Sequence, residues 1–390
     1  MSLPWVCRTI SGRLFLIGEI YAWLTIFTAS YTLLFTLANI IYLKRVSRKP
    51  DCNDGPLVSV LIPARNEAER ITPALKGLAK QDYRNFEVIV LDDNSEDGTL
   101  ELVNGLVKND DRFRAVKGKK LASGWKGKPF AMQQLADEAE GEILLFLDAD
   151  MRPGKQLISW TVSNFNYHQV DFLSGYPRHT TPEKMEYLLF PVMYLATSFL
   201  LPLWLFRHSG TYMFSHAIGQ FFCIRSRVLE NSGGFEPVKN KINEDIQMAR
   251  YLKREGCSQV FLDAKDYLSG NMYDSMDHAK MGIMRVVYEY FDNQVYPFLF
   301  MGFVMISFLI LPIPLALAAL LTGSAPAGAL GLGVLLLLVS WGITMVDRKL
   351  PWYTAFLYPV HFTWVLFLSI QSIILSKKGR GYTWKGRIVR

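Results

Sequence analysis

Ile143-Leu144-Leu145-Phe146-Leu147-Asp148-Ala149-Asp150 is the stretch that decides the fold. Its apolar run is unbroken, and two carboxylates at i and i+2 follow it at once. An apolar run this short between polar neighbours reads as a buried strand, because helices need ten or more residues. The strand then delivers hard oxygen ligands at its carboxyl end. A DxD triplet alone is common and is usually a solvated turn. Its place after an apolar strand changes the reading, because a divalent cation held there by one carboxylate can bridge a diphosphate.

Outward from this strand the pattern repeats. Further strands are expected at Leu57–Ile62, Phe86–Leu91, Val170–Ser174, Ile218–Ile224 and Gln259–Leu262. Helical patterns run to Lys80, from Gly98, and over Pro129–Glu140. Short apolar runs alternating with helices predict an α/β fold with a mostly parallel sheet, covered on both faces. Ligands in such sheets bind beyond the carboxyl ends of the strands, and polar clusters stand at those ends here.

Pro63-Ala64-Arg65-Asn66-Glu67 follows the first strand, and Asp92-Asp93-Asn94-Ser95-Glu96-Asp97-Gly98-Thr99 follows the second. The acids of the second cluster can accept hydrogen bonds from a base or ribose. Asp97 or Ser95 is equally suited to cap the next helix, and for Asp97 that plainer role is the better one. Gly124-Trp125-Lys126-Gly127-Lys128-Pro129 is a basic loop opening a helix, a setting that suits phosphate. Asn243-Glu244-Asp245 opens the helix Ile246–Arg254, where acids also simply complement the helix dipole.

Together these clusters resemble the family 2 glycosyltransferases, which have the GT-A fold, a Rossmann-like nucleotide-diphospho-sugar transferase domain. The resemblance is carried by PARNE at 63–67, LDDNSEDGT at 91–99, GKPFA at 127–131, DAD at 148–150, GQFFCIRSRVLENSGGF at 219–235 and ED at 244–245, and it covers residues 57–275. It implies inverting transfer of a hexose from a nucleotide-diphosphate sugar. Asp93 would contact the nucleobase and Asp148 the donor nucleotide, with Glu67 and Lys128 in the same donor site. Asp150 would bind Mg2+ or Mn2+, and Asp245 would be the general base. The chemistry fits, since sugar transfer needs a stabilised leaving diphosphate and a base on the opposite face of the ring.

One departure matters. Processive members carry QxxRW after the base, whereas here Gln294 is followed by Val295-Tyr296-Pro297-Phe298. That implies addition of a single sugar. The hydrophobic flanks and the Tyr382-Thr383-Trp384-Lys385-Gly386-Arg387 ending look like the subgroup that glycosylates carotenoids, hopanoids and similar lipids. UDP-glucose is the expected donor, with GDP-mannose behind it. The rival readings are a polyprenyl-phosphate glycosyltransferase and a membrane scaffold or transporter with a degenerate domain. The intact Asp93, Asp148, Asp150 and Asp245 argue against the last.

The composition supplies the rest. The 390 residues are 50% hydrophobic and 13% aromatic, with a net charge of +7. Aromatic and aliphatic content excludes global disorder. Cys7, Cys52, Cys223 and Cys257 show no metal or disulfide spacing.

Ile20–Leu43 carries no charge, and as a helix it spans roughly 36 Å, enough to cross a bilayer. Lys44, Arg45, Arg48 and Lys49 follow it, so the next segment is expected in the cytoplasm. Asn293–Val346 and Tyr353–Ser376 are also uncharged, and the tail holds Lys377, Lys378, Arg380, Lys385, Arg387 and Arg390. Collar and tail together carry +10, leaving about −3 elsewhere, so the basic balance reflects anionic headgroups rather than nucleic acid.

The expected organisation is an N-terminal anchor and collar at 1–49, a cytoplasmic GT-A domain at 50–292, a membrane region at 293–376 and a basic tail at 377–390. This is a multi-pass protein of the cell membrane with the bilayer and a lipid acceptor as partners. A tail on the cytoplasmic side needs an even number of C-terminal crossings, yet three apolar runs are present. One of them is therefore expected to be re-entrant or interfacial. Tyr187–Phe206, broken by Pro191 and Pro202, is expected to be an interfacial helix pair, with a buried core helix as its alternative.

Overall fold

The computed structural model describes residues 4–180, 187–188, 190–199, 201–207, 210–271, 276–290, 294–377, 382–384 and 387–389. Lys378, Arg380, Lys385, Gly386 and Arg390 lie outside them. The chain begins with α1 (Pro4–Val46), β1 (Val58–Ala64), α2 (Thr72–Leu78), β2 (Phe86–Asp92), α3 (Thr99–Val107), β3 (Phe113–Lys117), α4 (Gly127–Glu138), β4 (Ile143–Leu147), β5 (Met151–Pro153) and α5 (Leu157–His168). It continues with β6 (Phe172–Tyr176), β7 (Arg178–His179), the short α6 (Leu195–Phe199) and α7 (Leu203–Phe206), β8 (Phe221–Arg225), α8 (Ser226–Asn231), α9 (Glu244–Arg254), β9 (Gln259–Asp263), β10 (Leu268–Gly270) and α10 (Met276–Tyr290). Last come α11 (Val295–Met305), α12 (Pro312–Thr322), α13 (Ala327–Asp347), α14 (Tyr358–Lys377) and the hairpin β11 (Tyr382–Trp384) and β12 (Arg387–Val389).

Two units are formed: 1–40 with 185–201 and 290–374, and 41–184 with 202–289 and 375–390. The second unit is built on a seven-stranded sheet in the order β3-β2-β1-β4-β8-β6-β9. Its pairings are parallel except at β8, which runs antiparallel to both β4 and β6. The strand β3, Phe-Arg-Ala-Val-Lys, is the one the sequence pattern does not announce, because only its first residue is fully buried.

Strand geometry explains the two layers. Val58, Val60 and Ile62 of β1, with Leu145 and Leu147 of β4, point to one face and pack with α5 residues including Trp160 and Phe165. Leu61, Leu144 and Phe146 point to the other and meet Leu135 of α4 and Leu252 of α9. Phe146 stacks on Phe222 at 4.9 Å and meets Phe235 edge-on at 5.2 Å. Removing so buried a ring costs about 3–5 kcal/mol.

The basic collar is tied to α5. Val46 O is hydrogen-bonded to His168 Nε2 at 2.8 Å, and Trp160 Nε1 donates to Ser47 Oγ at 3.1 Å. Arg48 and Asn164 exchange hydrogen bonds, Arg48 N to Asn164 Oδ1 and Asn164 Nδ2 to Arg48 O.

The helices spanning Phe15–Val46, Val295–Thr322, Ala327–Asp347 and Trp352–Leu375 are long and apolar enough to cross a membrane. Large apolar side chains such as Phe27, Phe300 and Leu321 are exposed on them, as a lipid-facing surface requires. The second of these helices is interrupted by a π-turn at Ile306–Ile310, directly before Pro312, whose missing N–H cannot continue the ladder. Three such helices follow the α/β unit, and all three meet the length requirement for crossing.

Residues 185–201, expected within the α/β domain, group instead with the apolar helices. The backbone shows why. Pro191 and Pro202 break this stretch into short turns and leave carbonyls without helical partners. Side chains of the long helices satisfy them: Thr36 Oγ1 donates to Ser198 O at 3.0 Å, Asn39 Nδ2 donates to Leu201 O at 2.9 Å, and His361 Nε2 lies 2.8 Å from Tyr187 O. Trp341 Nε1 donates to His361 Nδ1 at 3.0 Å, which leaves Nε2 as the protonated nitrogen. Tyr194, Phe199, Leu201, Leu203 and Phe206 are all buried.

Candidate active site

The carboxyl ends of β1 and β2 carry two loops that clasp each other. Asn66 N donates to Ser95 Oγ at 2.9 Å, and Glu96 N donates to Asn66 Oδ1 at 3.0 Å. Arg65 reaches across and donates to the carbonyls of Asp93 and Asn94, at 2.5 and 3.2 Å. Asn66 and Asn94 sit in the left-handed region, at φ 52° and 54°, a conformation that asparagine tolerates better than most residues. The clasp holds buried Asp93 at the sheet end. Gly98, not Asp97, is the cap of α3; the Asp97 carboxylate instead accepts from Thr99 N at 3.1 Å and from Ala68 N at 3.0 Å, tying the two loops together. Glu67 is buried and pairs with Arg70 at 3.0 Å, while its backbone N donates to Thr99 Oγ1. Those contacts give it a part in the loop that supports Asp93.

A second cluster gathers residues distant in sequence. Lys128, in the first turn of α4, places Nζ 2.8 Å from Asp148 Oδ1 and 3.3 Å from Glu244 Oε1. It also donates to Gly219 O at 3.2 Å. Asp148 leaves β4, and its N–H donates to Gln220 O, which ties it to the residue before β8. Asp245 opens α9, with Oδ1 accepting from Ile246 N at 2.8 Å. Gly219 lies against it: a Cβ there would be 3.0 Å from Asp245 Oδ2 and 3.2 Å from Lys128 Nζ. Lys128, Asp148 and Asp245, three of the expected residues, therefore converge. The roles of Glu244 and Gly219 had not been assigned from the sequence. The one signal for them was membership of the ED and GQFFC motifs.

The electrostatics follow from this packing. Burial, reinforced by the neighbouring charge of Glu244, pushes the Asp245 carboxyl well above the usual carboxylate range, and Lys128 only partly opposes it. For Lys128 burial pulls downward, but the Asp148 and Glu244 carboxylates more than offset it and hold the ammonium firmly charged. A half-buried carboxylate with raised proton affinity beside a fixed cation is a pairing suited to a base near a leaving anion.

Asp150 stands in the turn after β4, two residues past Asp148. Among the described residues no group of three or more His, Cys, Asp or Glu forms a metal cage. The carboxylates at this turn fit Mg2+ or Mn2+, which are commonly bound through one or two carboxylates and complete their shell with phosphate oxygens and water.

Residues 59–231 match the family model described as Glycosyl transferase family 2, and this stretch is a family 2 glycosyltransferase domain. The chain is 36% identical over 95 residues to the GalNAc(5)-diNAcBac-PP-undecaprenol beta-1,3-glucosyltransferase of Campylobacter jejuni, covering 24% of this chain and 30% of that protein. It is 33% identical over 117 residues to the 4,4'-diaponeurosporenoate glycosyltransferase of Staphylococcus haemolyticus, covering 30% of each. The matched stretch thus spans well under half the length of these curated relatives. A mannosyltransferase from Pyrobaculum calidifontis, solved in complex with GDP-Man and Mn2+, superposes with a TM-score of 0.56 at 19% identity, over 92% of this chain and 99% of that one. The fold is GT-A, joined to apolar helices.

Proposed function

We propose that this protein is an inverting glycosyltransferase that moves one sugar from a nucleotide-diphosphate donor to a hydroxyl of a membrane lipid. The observation that carries the reading is the single ammonium of Lys128 joining Asp148 to Glu244 beside Asp245. It sets a phosphate-binding side and a proton-accepting side within one side chain's reach. Asp93 takes the nucleobase end of the donor, and Asp148 and Lys128 take the diphosphate. Asp245 removes the acceptor proton as the hydroxyl attacks the anomeric carbon from the face opposite the leaving diphosphate. Lys128 meets the negative charge that grows on that diphosphate. A divalent ion held by Asp150 would add charge neutralisation there.

A membrane-lipid acceptor is supported by the four apolar helices and by the likeness to an enzyme named for the carotenoid acid diaponeurosporenoate, and terpenoid or carotenoid hydroxyls are the first acceptors to try. UDP-glucose is the first donor to try and GDP-mannose the second. A polyprenyl-phosphate acceptor is the second reading; the likeness to the Campylobacter enzyme, named for a saccharide on PP-undecaprenol, supports a polyprenyl carrier in the acceptor. The α/β unit would face the cytoplasm, where nucleotide sugars are found, with Lys44, Arg45 and Lys49 at the membrane edge. The test is incubation of the detergent-solubilised full chain with labelled UDP-glucose or GDP-mannose, against a hydroxylated carotenoid and against polyprenyl phosphate. Label entering one lipid and not the other separates the two readings.

A further inference from the structure

Glu244 stands beside the base but points at the lysine. Its side chain is 6% exposed, whereas that of Asp148, the other carboxylate on Lys128, is 28% exposed. An ammonium has three N–H donors. Here three oxygens surround the ammonium: Asp148 Oδ1 at 2.8 Å and the Gly219 carbonyl at 3.2 Å accept from it, and Glu244 Oε1 pairs with it at 3.3 Å. A diphosphate can gain this cation only if one acceptor gives way. Glu244 is enclosed, and the Gly219 carbonyl is backbone, fixed just before β8. Asp148 is the most exposed of the three and stands at the strand end where ligands enter such sheets.

We propose that Glu244 is a positioning residue for the donor: it tethers Lys128 by charge, so that the ammonium stays paired with Glu244 and bonded to Gly219 O while its hydrogen bond to Asp148 passes to the diphosphate. The inference rests on the donor-site reading given above and adds to it the residue that aims the lysine. Lysine is a long, flexible point charge that needs such aiming. Without the tether, the ammonium would follow Asp148 or swing toward solvent, and the donor would have to order it at each encounter. The plainer role for an acid at this position is to complement the dipole of α9. That role predicts a loss of stability but no link between Glu244 and Lys128.

The experiment is nucleotide binding, followed by tryptophan fluorescence, with the full chain in detergent and UDP or GDP as probe. Glu244→Gln keeps an acceptor oxygen and removes the charge, and should weaken binding about tenfold. Glu244→Asp should recover part of the loss. Lys128→Met should weaken binding at least as much as Glu244→Gln, and adding Glu244→Gln to Lys128→Met should cost no more than about a further twofold, because the tether then holds nothing. Thermal unfolding of each variant identifies any loss due to folding. Glu244→Gln binding like the wild type, or a double variant losing the product of the two single effects, would overturn the proposal. If the wild type itself bound neither nucleotide, the donor-site reading would fail, and this proposal with it.

Discussion

A methyl group added to Gly219 would lie 3.0 Å from Oδ2 of Asp245, closer than ordinary packing allows, so this carboxylate rests directly on backbone. No side chain stands between Gly219, two residues before β8, and the Asp245 carboxylate in the first turn of α9. The carboxylate is held between that backbone and the Ile246 N–H, which donates to its Oδ1. Gly219→Ala should push Asp245 and Lys128 aside and lower turnover by up to about 10²-fold, the scale of a misplacement near 1 Å. Donor KM should move much less. Steady-state kinetics of the variant checks both.

Asp245→Asn keeps the shape of the base and removes its proton affinity. Turnover should fall roughly 10²–10⁴-fold while nucleotide binding survives. In the wild type the acidic limb of the rate profile should lie above the ordinary aspartate value of 3.8, because burial and Glu244 raise the proton affinity of this group. Glu244→Gln should move that limb to lower pH. A limb at the ordinary aspartate value in the wild type would remove Asp245 from the role.

The same groups set the pH dependence of stability. Asp245 has a raised folded value, so its contribution is complete below its unfolded value and is lost as pH rises through the folded one. His216 has the opposite sign: burial first, then the charge of Arg250, pushes it down to about 3 from 6.5. Its contribution is complete above 6.5 and is lost as pH falls toward 3. Asp245→Asn should therefore raise the unfolding temperature at pH 8 relative to the wild type, and His216→Phe should flatten the loss between pH 6 and 4, as melting curves across pH would show.

Chelation provides a separate test of Asp150. Excess EDTA should remove most activity, Mg2+ or Mn2+ should restore it, and Asp150→Asn should respond to neither. Full activity of the wild type in EDTA would exclude the assignment.

In the membrane unit, His361→Ala would leave Tyr187 O and Trp341 Nε1 without their partner, at a cost of about 1–3 kcal/mol for each buried group. Thr36→Val should cost a similar amount through Ser198 O. Thermal unfolding in detergent measures both. Polar replacements at Leu201 and Leu203 would report first on packing, because both side chains are buried.

The α/β core was legible because its strands are short apolar runs that end in acids. Ile143–Leu147 emerges with the expected bounds, and β1, β2 and β9 within two residues. Phe113–Lys117 was missed because edge strands show little apolar signal. Lys128, Asp148 and Asp245 could be named from motifs, but their meeting at one ammonium could not, since three separate elements bring them together. Residues 185–201 were placed by apolarity alone. What decides their grouping is where their broken backbone finds donors, and Thr36, Asn39 and His361 lie more than 140 residues away in sequence.

The central claim, transfer of one sugar to a membrane lipid with Asp245 as base, is tested most directly by a two-phase assay. Wild type and Asp245→Asn protein are incubated with labelled nucleotide sugar and membrane lipid, and the mixture is then partitioned between water and organic solvent. With the wild type, label should enter the organic phase as a lipid bearing a single sugar, and the variant should lose roughly 10²-fold or more of that transfer. Label confined to the aqueous phase, or equal transfer by both proteins, would contradict it.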